Sequence, residues 1–164
     1  MHAVKPHAGI GGVPYAPQVG DHLALNPLNT EALSQGQAID HWESREDMHR
    51  WLVRQGVDPA GEHTPSDLLQ RGRDLWSAER KAIATGKAGE PLDVQPLNVL
   101  LEAHLTSPRL QRDTSGRLEI THVSANGTAA SPLGPVAEAA AHLLSDGDFA
   151  LVRQCEHPNC ILWF

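Results

Sequence analysis

Residues 135–164 read PVAEAAAHLLSDGDFALVRQCEHPNCILWF. Val136, Ala139, Ala140, Leu143 and Leu144 recur at i, i+3, i+4, i+7 and i+8, the apolar stripe of an amphipathic helix. The alanines permit close approach of neighbouring backbones, so the spacing predicts the central helix of a bundle. Pro132 and Pro135 bracket its start. Gly147 is expected as a left-handed cap, and Asp148 as the cap of a short second helix through Phe149, Leu151 and Val152. That helix delivers Cys155 and Cys160, the only two cysteines in the sequence. Two thiolates with four residues between them, on a turn holding Pro158 and Asn159, read as half of a tetrahedral zinc site, which takes four Cys or His ligands. His157 lies inside the loop and is expected to be too constrained to complete the same ion. The plain alternative is two free thiols on a terminal segment. The run Ile161-Leu162-Trp163-Phe164 tips the balance, because a bare apolar patch invites association. It reads as the first strand of a zinc module cut short.

Upstream, residues 108–125 switch to the two-residue period of strands. Arg109–Asp113, the turn Thr114-Ser115-Gly116 and Arg117–Val123 predict a β-hairpin, with Leu118, Ile120 and His122 on one face. Residues 93–106 predict a helix with Leu97, Leu100, Leu101, His104 and Leu105 on one side. Thr64-Pro65-Ser66-Asp67 opens another helix, capped by Thr64 or Ser66. Leu68, Leu69, Gly72, Leu75, Trp76, Glu79 and Ile83 follow its period, and Gly86 and Gly89 end it. Arg71, Arg73, Arg80 and Lys81 give that helix a basic surface, but Asp67, Asp74 and Glu79 interleave with them, so a solvated face is favoured over a nucleic-acid stripe.

Residues 38–55, AIDHWESREDMHRWLVRQ, predict a further helix. Ile39 and Trp42 lead in, Ser44 and Asp47 form its capping pair, and Gly56 ends it. Residues 21–34 open the ordered part. Pro27 biases Asn26 away from helix, and Asn29 and Thr30 are expected to hold a turn or to face a pocket. Residues 1–20, rich in Gly and Pro, are expected to be a flexible arm.

A chain of 164 residues suits one domain. Apolar residues make up 40% and charged residues 20%, with no run near the roughly 18 apolar residues a membrane span needs. A cytoplasmic location and no membrane partner are the expectations. The formal charge of −7 argues against this portion gripping nucleic acid by itself. Ten histidines are scattered without an HExxH or HxH pattern, and no Gly-rich phosphate loop or GxSxG elbow is present. No catalytic residues are assigned.

The sequence resembles bacterial stress-induced transcription regulators with an N-terminal ABATE domain and a C-terminal CGNR zinc finger. The family opens on a motif close to L-D-F-V-N-T, and Leu25, Asn29 and Thr30 match it within Leu25-Asn26-Pro27-Leu28-Asn29-Thr30. Asn26 and Pro27 replace its acid and aromatic. Leu143-Leu144-Ser145-Asp146-Gly147-Asp148 fits the family's closing helix. Cys155, Pro158 and Cys160 fit its C-x-x-P-x-C, with Phe164 as the following aromatic. The resemblance covers residues 21–164 and implies a second cysteine pair, the CGNR signature and DNA-contacting arginines beyond Phe164.

The expected fold is mainly α with a small β-hairpin (α+β), a helical bundle around the Ala/Leu-rich C-terminal helix. The expected organisation is a flexible arm over 1–20, an ABATE-like helical domain over 21–153 and the start of a truncated CGNR-type finger over 154–164. The resemblance implies a transcription regulator and no enzyme. This portion would sense a small-molecule effector or mediate homodimer assembly. Zinc, with Cys155 and Cys160 as its half-site, and DNA would belong to the full-length finger; the two thiolates alone should bind zinc weakly, and two copies of this chain could complete a four-cysteine site across a dimer. The pocket is expected between residues 21–30 and the tryptophan helices, at Asn29, Thr30, Trp42, Trp51 and His104. The rivals are a small metal-independent hydrolase using His104 or His122 with Glu102, and a pure protein-interaction module.

Overall fold

A computed structural model describes residues 15–34, 36–57, 66–103, 106–124 and 131–164. Two short 3-10 turns, Leu23–Leu25 and Pro27–Thr30, open the folded body. Pro27 sits at the start of the second, where its missing N–H costs no hydrogen bond. The Thr30 hydroxyl closes that turn by donating to the Pro27 carbonyl at 2.6 Å. The chain then forms a hairpin of β1 (Glu31–Ser34) and β2 (Gln37–Asp40), turning at Gly36 with φ 80°.

The expectation of one helix with Ile39 leading in is therefore corrected: Ala38–Asp40 are strand, and α1 spans Arg45–Arg54. Two local bonds stop the helix from extending backwards. The Asp40 carboxylate accepts from the Trp42 N–H at 2.7 Å. Ser44 is extended (φ −131°, ψ 165°) and forms the expected capping box with Asp47.

Helix α2 (Leu68–Lys87) starts without a side-chain cap, although Asp67 pairs with Arg71. Thr64 and Pro65 lie outside the described residues. Gly89 (φ 69°) follows the helix end as expected, whereas Gly86 lies within the last turn, where a Cβ would stand 2.9 Å from the Phe149 ring. At Gly72 a Cβ would meet the Met48 methyl at 1.9 Å, so this glycine lets α1 and α2 approach. Helix α3 (Gln95–Glu102) is shorter than expected, and its buried anchor is Leu97. His104 lies outside the described residues. The hairpin of β3 (Thr106–Arg112) and β4 (Leu118–Ser124) follows, with Leu110 opposite Ile120.

Helix α4 (Gly134–Asp146) packs on the first 3-10 turn, α2 and α3, burying Val136, Ala137, Ala140 and Leu143. Its end corrects two expectations. Gly147 is extended (φ −74°, ψ 146°), not left-handed. Its lack of a side chain serves another purpose, because a Cβ would lie 2.2 Å from the Leu143 carbonyl oxygen. The short second helix is also absent: Asp148–Leu151 make a single turn, with the Asp148 carboxylate accepting from the Ala150 N–H at 2.9 Å. The core joins Trp42, Met48, Leu52, Leu68, Leu75, Ile83 and Val136 in one cluster. Trp42 and Trp51 meet edge to face at 5.0 Å, a contact worth about 0.5–1.5 kcal/mol beyond the area buried. The architecture is α+β, with helices around α4 and, among the described residues, two small hairpins instead of one. No helix among the described residues is long and apolar enough to cross a membrane.

The segment expected as a flexible arm is described only from Tyr15. There Ala16 is buried, and the Arg54 guanidinium stacks 4.2 Å above the Tyr15 ring.

Candidate functional site

The cysteine pair sits on a knuckle. Arg153 and Phe164 exchange both backbone hydrogen bonds, at 2.7 and 2.9 Å, and the Cys155 N–H donates to the Leu162 carbonyl at 2.8 Å. Between these arms the Cys160 N–H donates to the His157 carbonyl at 2.9 Å, which closes the Cys-Glu-His-Pro-Asn-Cys turn. The His157 Nδ1 accepts from the Asn159 N–H at 3.2 Å, so that nitrogen is occupied within the loop. The Cys160 thiol donates a hydrogen bond that holds the Cys155 thiol below its ordinary pKa, whereas burial pushes the Cys160 thiol up.

These two sulfurs suit one half of a tetrahedral zinc site, whose donors come in short-spaced pairs. Among the described residues no group of three or more His, Cys, Asp or Glu side chains gathers to hold a metal.

In an antiparallel pair, alternate residues turn their N–H and C=O away from the partner strand. Trp163 is such a residue here, and Asn29 meets it. The Asn29 Nδ2 donates to the Trp163 carbonyl at 2.8 Å, and the Trp163 N–H donates to the Asn29 Oδ1 at 2.7 Å. The side-chain amide thus stands in for a neighbouring strand's peptide group. Asn29 is 0% exposed, so water does not compete for these bonds. Asn29 is a clamp on the root of the knuckle rather than an open-pocket residue.

The next residue, Thr30, faces a different neighbourhood. A cleft of 240 Å³ is lined by Thr30, Glu31, Asp40, Trp42, Arg73, Trp76 and Ser77. Arg73 spans it, donating to the Trp42 carbonyl at 3.2 Å and to Asp40 at 3.3 Å. Arg80 pairs with Glu31 at 3.7 Å on the same side. Of the residues expected in a pocket, Thr30 and Trp42 line this cleft, Trp51 meets Trp42 edge to face, and Asn29 turns to the knuckle. Sequence reading missed Asp40, Arg73 and Trp76 as neighbours. Arg73 and Trp76 stand one helical turn apart, but nothing local announces that β2 lies opposite them.

A second cleft, of 630 Å³, opens on the other side of the knuckle root, between residues 19–25 and the end of α4. Glu79, which shares the apolar period of α2 and also interleaves with its basic residues, lies in the core and not on the solvated face. It is 0% exposed, neither carboxylate oxygen has a hydrogen-bond partner among the described residues, and burial raises its pKa well above the ordinary value. Burial of this kind disfavours the charged form of the carboxyl. It follows the apolar period of α2, and that period, not its charge, sets where it points.

No curated protein matches the chain. One family model does, over residues 21–147, with the description "Putative stress-induced transcription regulator". The match runs from the first 3-10 turn to the end of α4 and stops short of the knuckle. The chain belongs to the ABATE family.

Proposed function

We propose that this chain is the sensing and assembly half of a bacterial transcription regulator, and that a zinc finger beginning at Cys155 and Cys160 supplies the DNA contact. The observation that carries this reading is the clamp: a residue of the family-matched domain, Asn29, holds the root of the cysteine knuckle through both polar groups of Trp163. A knuckle fixed in this way turns with the domain, so a change in the domain reaches whatever the finger binds. A small-molecule effector acts by preferring one arrangement of the two parts. The net charge of −7 supports assigning phosphate contacts to residues outside this portion. A protein of this kind works in the cytoplasm and needs no catalytic residues.

The test compares this chain with a longer one that carries a second cysteine pair and a basic segment, by metal analysis and by fluorescence anisotropy on labelled duplex DNA. The longer chain is expected to bind one zinc and to bind DNA with an affinity that falls steeply with salt. Zinc uptake without DNA binding at low salt would overturn the reading.

A second reading, as a pure interaction module, is favoured by one observation. Leu110 and Ile120 stand opposite one another on the β3–β4 hairpin and are 63% and 68% exposed, with Leu118 beside them. An isolated two-stranded hairpin is marginal in water, and a homodimer would cover this face. Sedimentation of the wild type and of Ile120→Asp tests assembly through this face. A dimer that dissociates in the variant supports assembly through the hairpin, and a monomer in both removes it.

A further inference from the structure

The 630 Å³ cleft beside the knuckle has an apolar floor and a negatively charged mouth. Leu25, Leu143 and Val152, all buried, form the floor, and Phe164 forms part of the wall. Its volume falls within the range of small-molecule sites, about 300–1,000 Å³. Three carboxylates, Asp21, Asp146 and Asp148, stand around it, and among the described residues no lysine or arginine lines it. Asp146 accepts from the Ser145 hydroxyl at 3.1 Å and has the His142 ring at 3.6 Å. The His22 Nδ1 accepts from the Ala24 N–H at 3.2 Å.

The backbone adds to this field. Helix α4 ends at the cleft, and its last turn holds no basic residue. The carbonyl end of a helix is a partial negative charge that favours a cation, and here Asp146 stands at that end instead. Apolar floor, acidic mouth and bare helix terminus call for one kind of occupant: an apolar body carrying a positive charge. An inorganic cation would leave the floor wet, and a fatty anion would meet three carboxylates.

We infer that this cleft binds an amphiphilic organic cation, with its apolar body on Leu25, Leu143 and Val152 and its ammonium or guanidinium group among Asp21, Asp146 and Asp148. Val152 precedes the knuckle and Phe164 pairs with Arg153 inside it, so the ligand touches the same root that Asn29 clamps. The role of that ligand as effector rests on the regulator reading above, whereas its binding does not, and the two fail separately.

The test is calorimetric titration of this chain with octylamine at neutral pH, below its aggregation threshold, beside octanoate as the anion of equal chain length. Saturable one-to-one binding of octylamine is expected, at least tenfold tighter than that of octanoate. The double variant Asp146→Asn, Asp148→Asn is expected to weaken octylamine tenfold or more; the amide introduced at position 148 keeps an oxygen for the Ala150 N–H, so the turn survives. Leu151→Lys, at a position 73% exposed, puts a competing cation at the mouth and is expected to have the same effect without touching the core. Equal binding of octanoate, or octylamine binding unchanged in both variants, overturns the assignment. So does failure of octylamine alongside binding of a basic amphipathic peptide, which would make the cleft a protein-docking groove.

Discussion

Replacing Asn29 by alanine removes both hydrogen bonds to Trp163. Each is worth about 1 kcal/mol net, and a polar group left unpaired in a buried setting costs about 1–3 kcal/mol. With the knuckle still docked, the loss is about 2–4 kcal/mol. The knuckle limits that loss by lifting away, since water then satisfies Trp163. The ceiling is the free energy with which residues 153–164 dock, so two readouts are needed. Urea denaturation followed by tryptophan fluorescence gives the total. Amide exchange at Trp163 reports the local opening and is expected to speed up by about 30-fold for about 2 kcal/mol. Asn29→Asp sharpens the test. It keeps an oxygen for the Trp163 N–H but sets a carboxylate against the Trp163 carbonyl at a fully buried site. Its folded pKa therefore lies above the unfolded value of about 3.9. Its stability is fullest below that value and is lost as pH rises, so Asn29→Asp is closest to the wild type in acid and furthest from it near neutral pH. An unchanged urea midpoint together with unchanged exchange at Trp163 in Asn29→Ala would refute the clamp.

Glu79→Met is expected to stabilise the protein at neutral pH by about 1–3 kcal/mol, because a buried carboxyl with no hydrogen-bond partner among the described residues is exchanged for an apolar side chain. The folded pKa of Glu79 is raised above the ordinary 4.5, so its folded form is fully favoured below 4.5 and loses ground as pH rises above it. The gain from Glu79→Met, measured by urea titration, therefore grows with pH over that window; a gain independent of pH would contradict the burial. Gly147→Ala drives a methyl against the Leu143 carbonyl, which belongs to the backbone and cannot step aside. A loss of about 1–3 kcal/mol or more is expected, read as a drop in melting temperature, and a neutral outcome would refute the close approach. Added zinc is expected to bridge two copies of this chain through four cysteines, at one metal per two chains. The double substitution Cys155→Ser, Cys160→Ser should abolish that dimer in analytical ultracentrifugation, and a zinc-linked dimer that survives it would sink the idea.

Signals confined to a few residues could be read from the chain. The Ser44–Asp47 capping box, the apolar period of α4 and the turn at Asp113–Gly116 each depend on near neighbours in sequence. The position of Asn29 as a clamp could not be read, because its partner lies 134 residues away and is a backbone group without a sequence signature. Gly147 illustrates a different limit: a glycine after a helix signals either a left-handed residue or a close approach, and its identity alone does not distinguish them. Ala38–Asp40 read as helix because they run directly into it, whereas the hairpin that claims them is set by pairing with Glu31–Leu33. Glu79 shows period and charge in conflict, and packing decides in favour of period.

The proposed coupling of the ABATE domain to a zinc finger is tested most directly by DNA titration of a chain extended through that finger, as wild type and as Asn29→Ala. Both are expected to hold one zinc, because the cysteines are untouched. Duplex DNA affinity is expected to fall at least tenfold in the variant, because the finger is no longer held in one orientation. Equal zinc and equal DNA affinity in the two chains would contradict the account, leaving the clamp as local packing with no part in recognition.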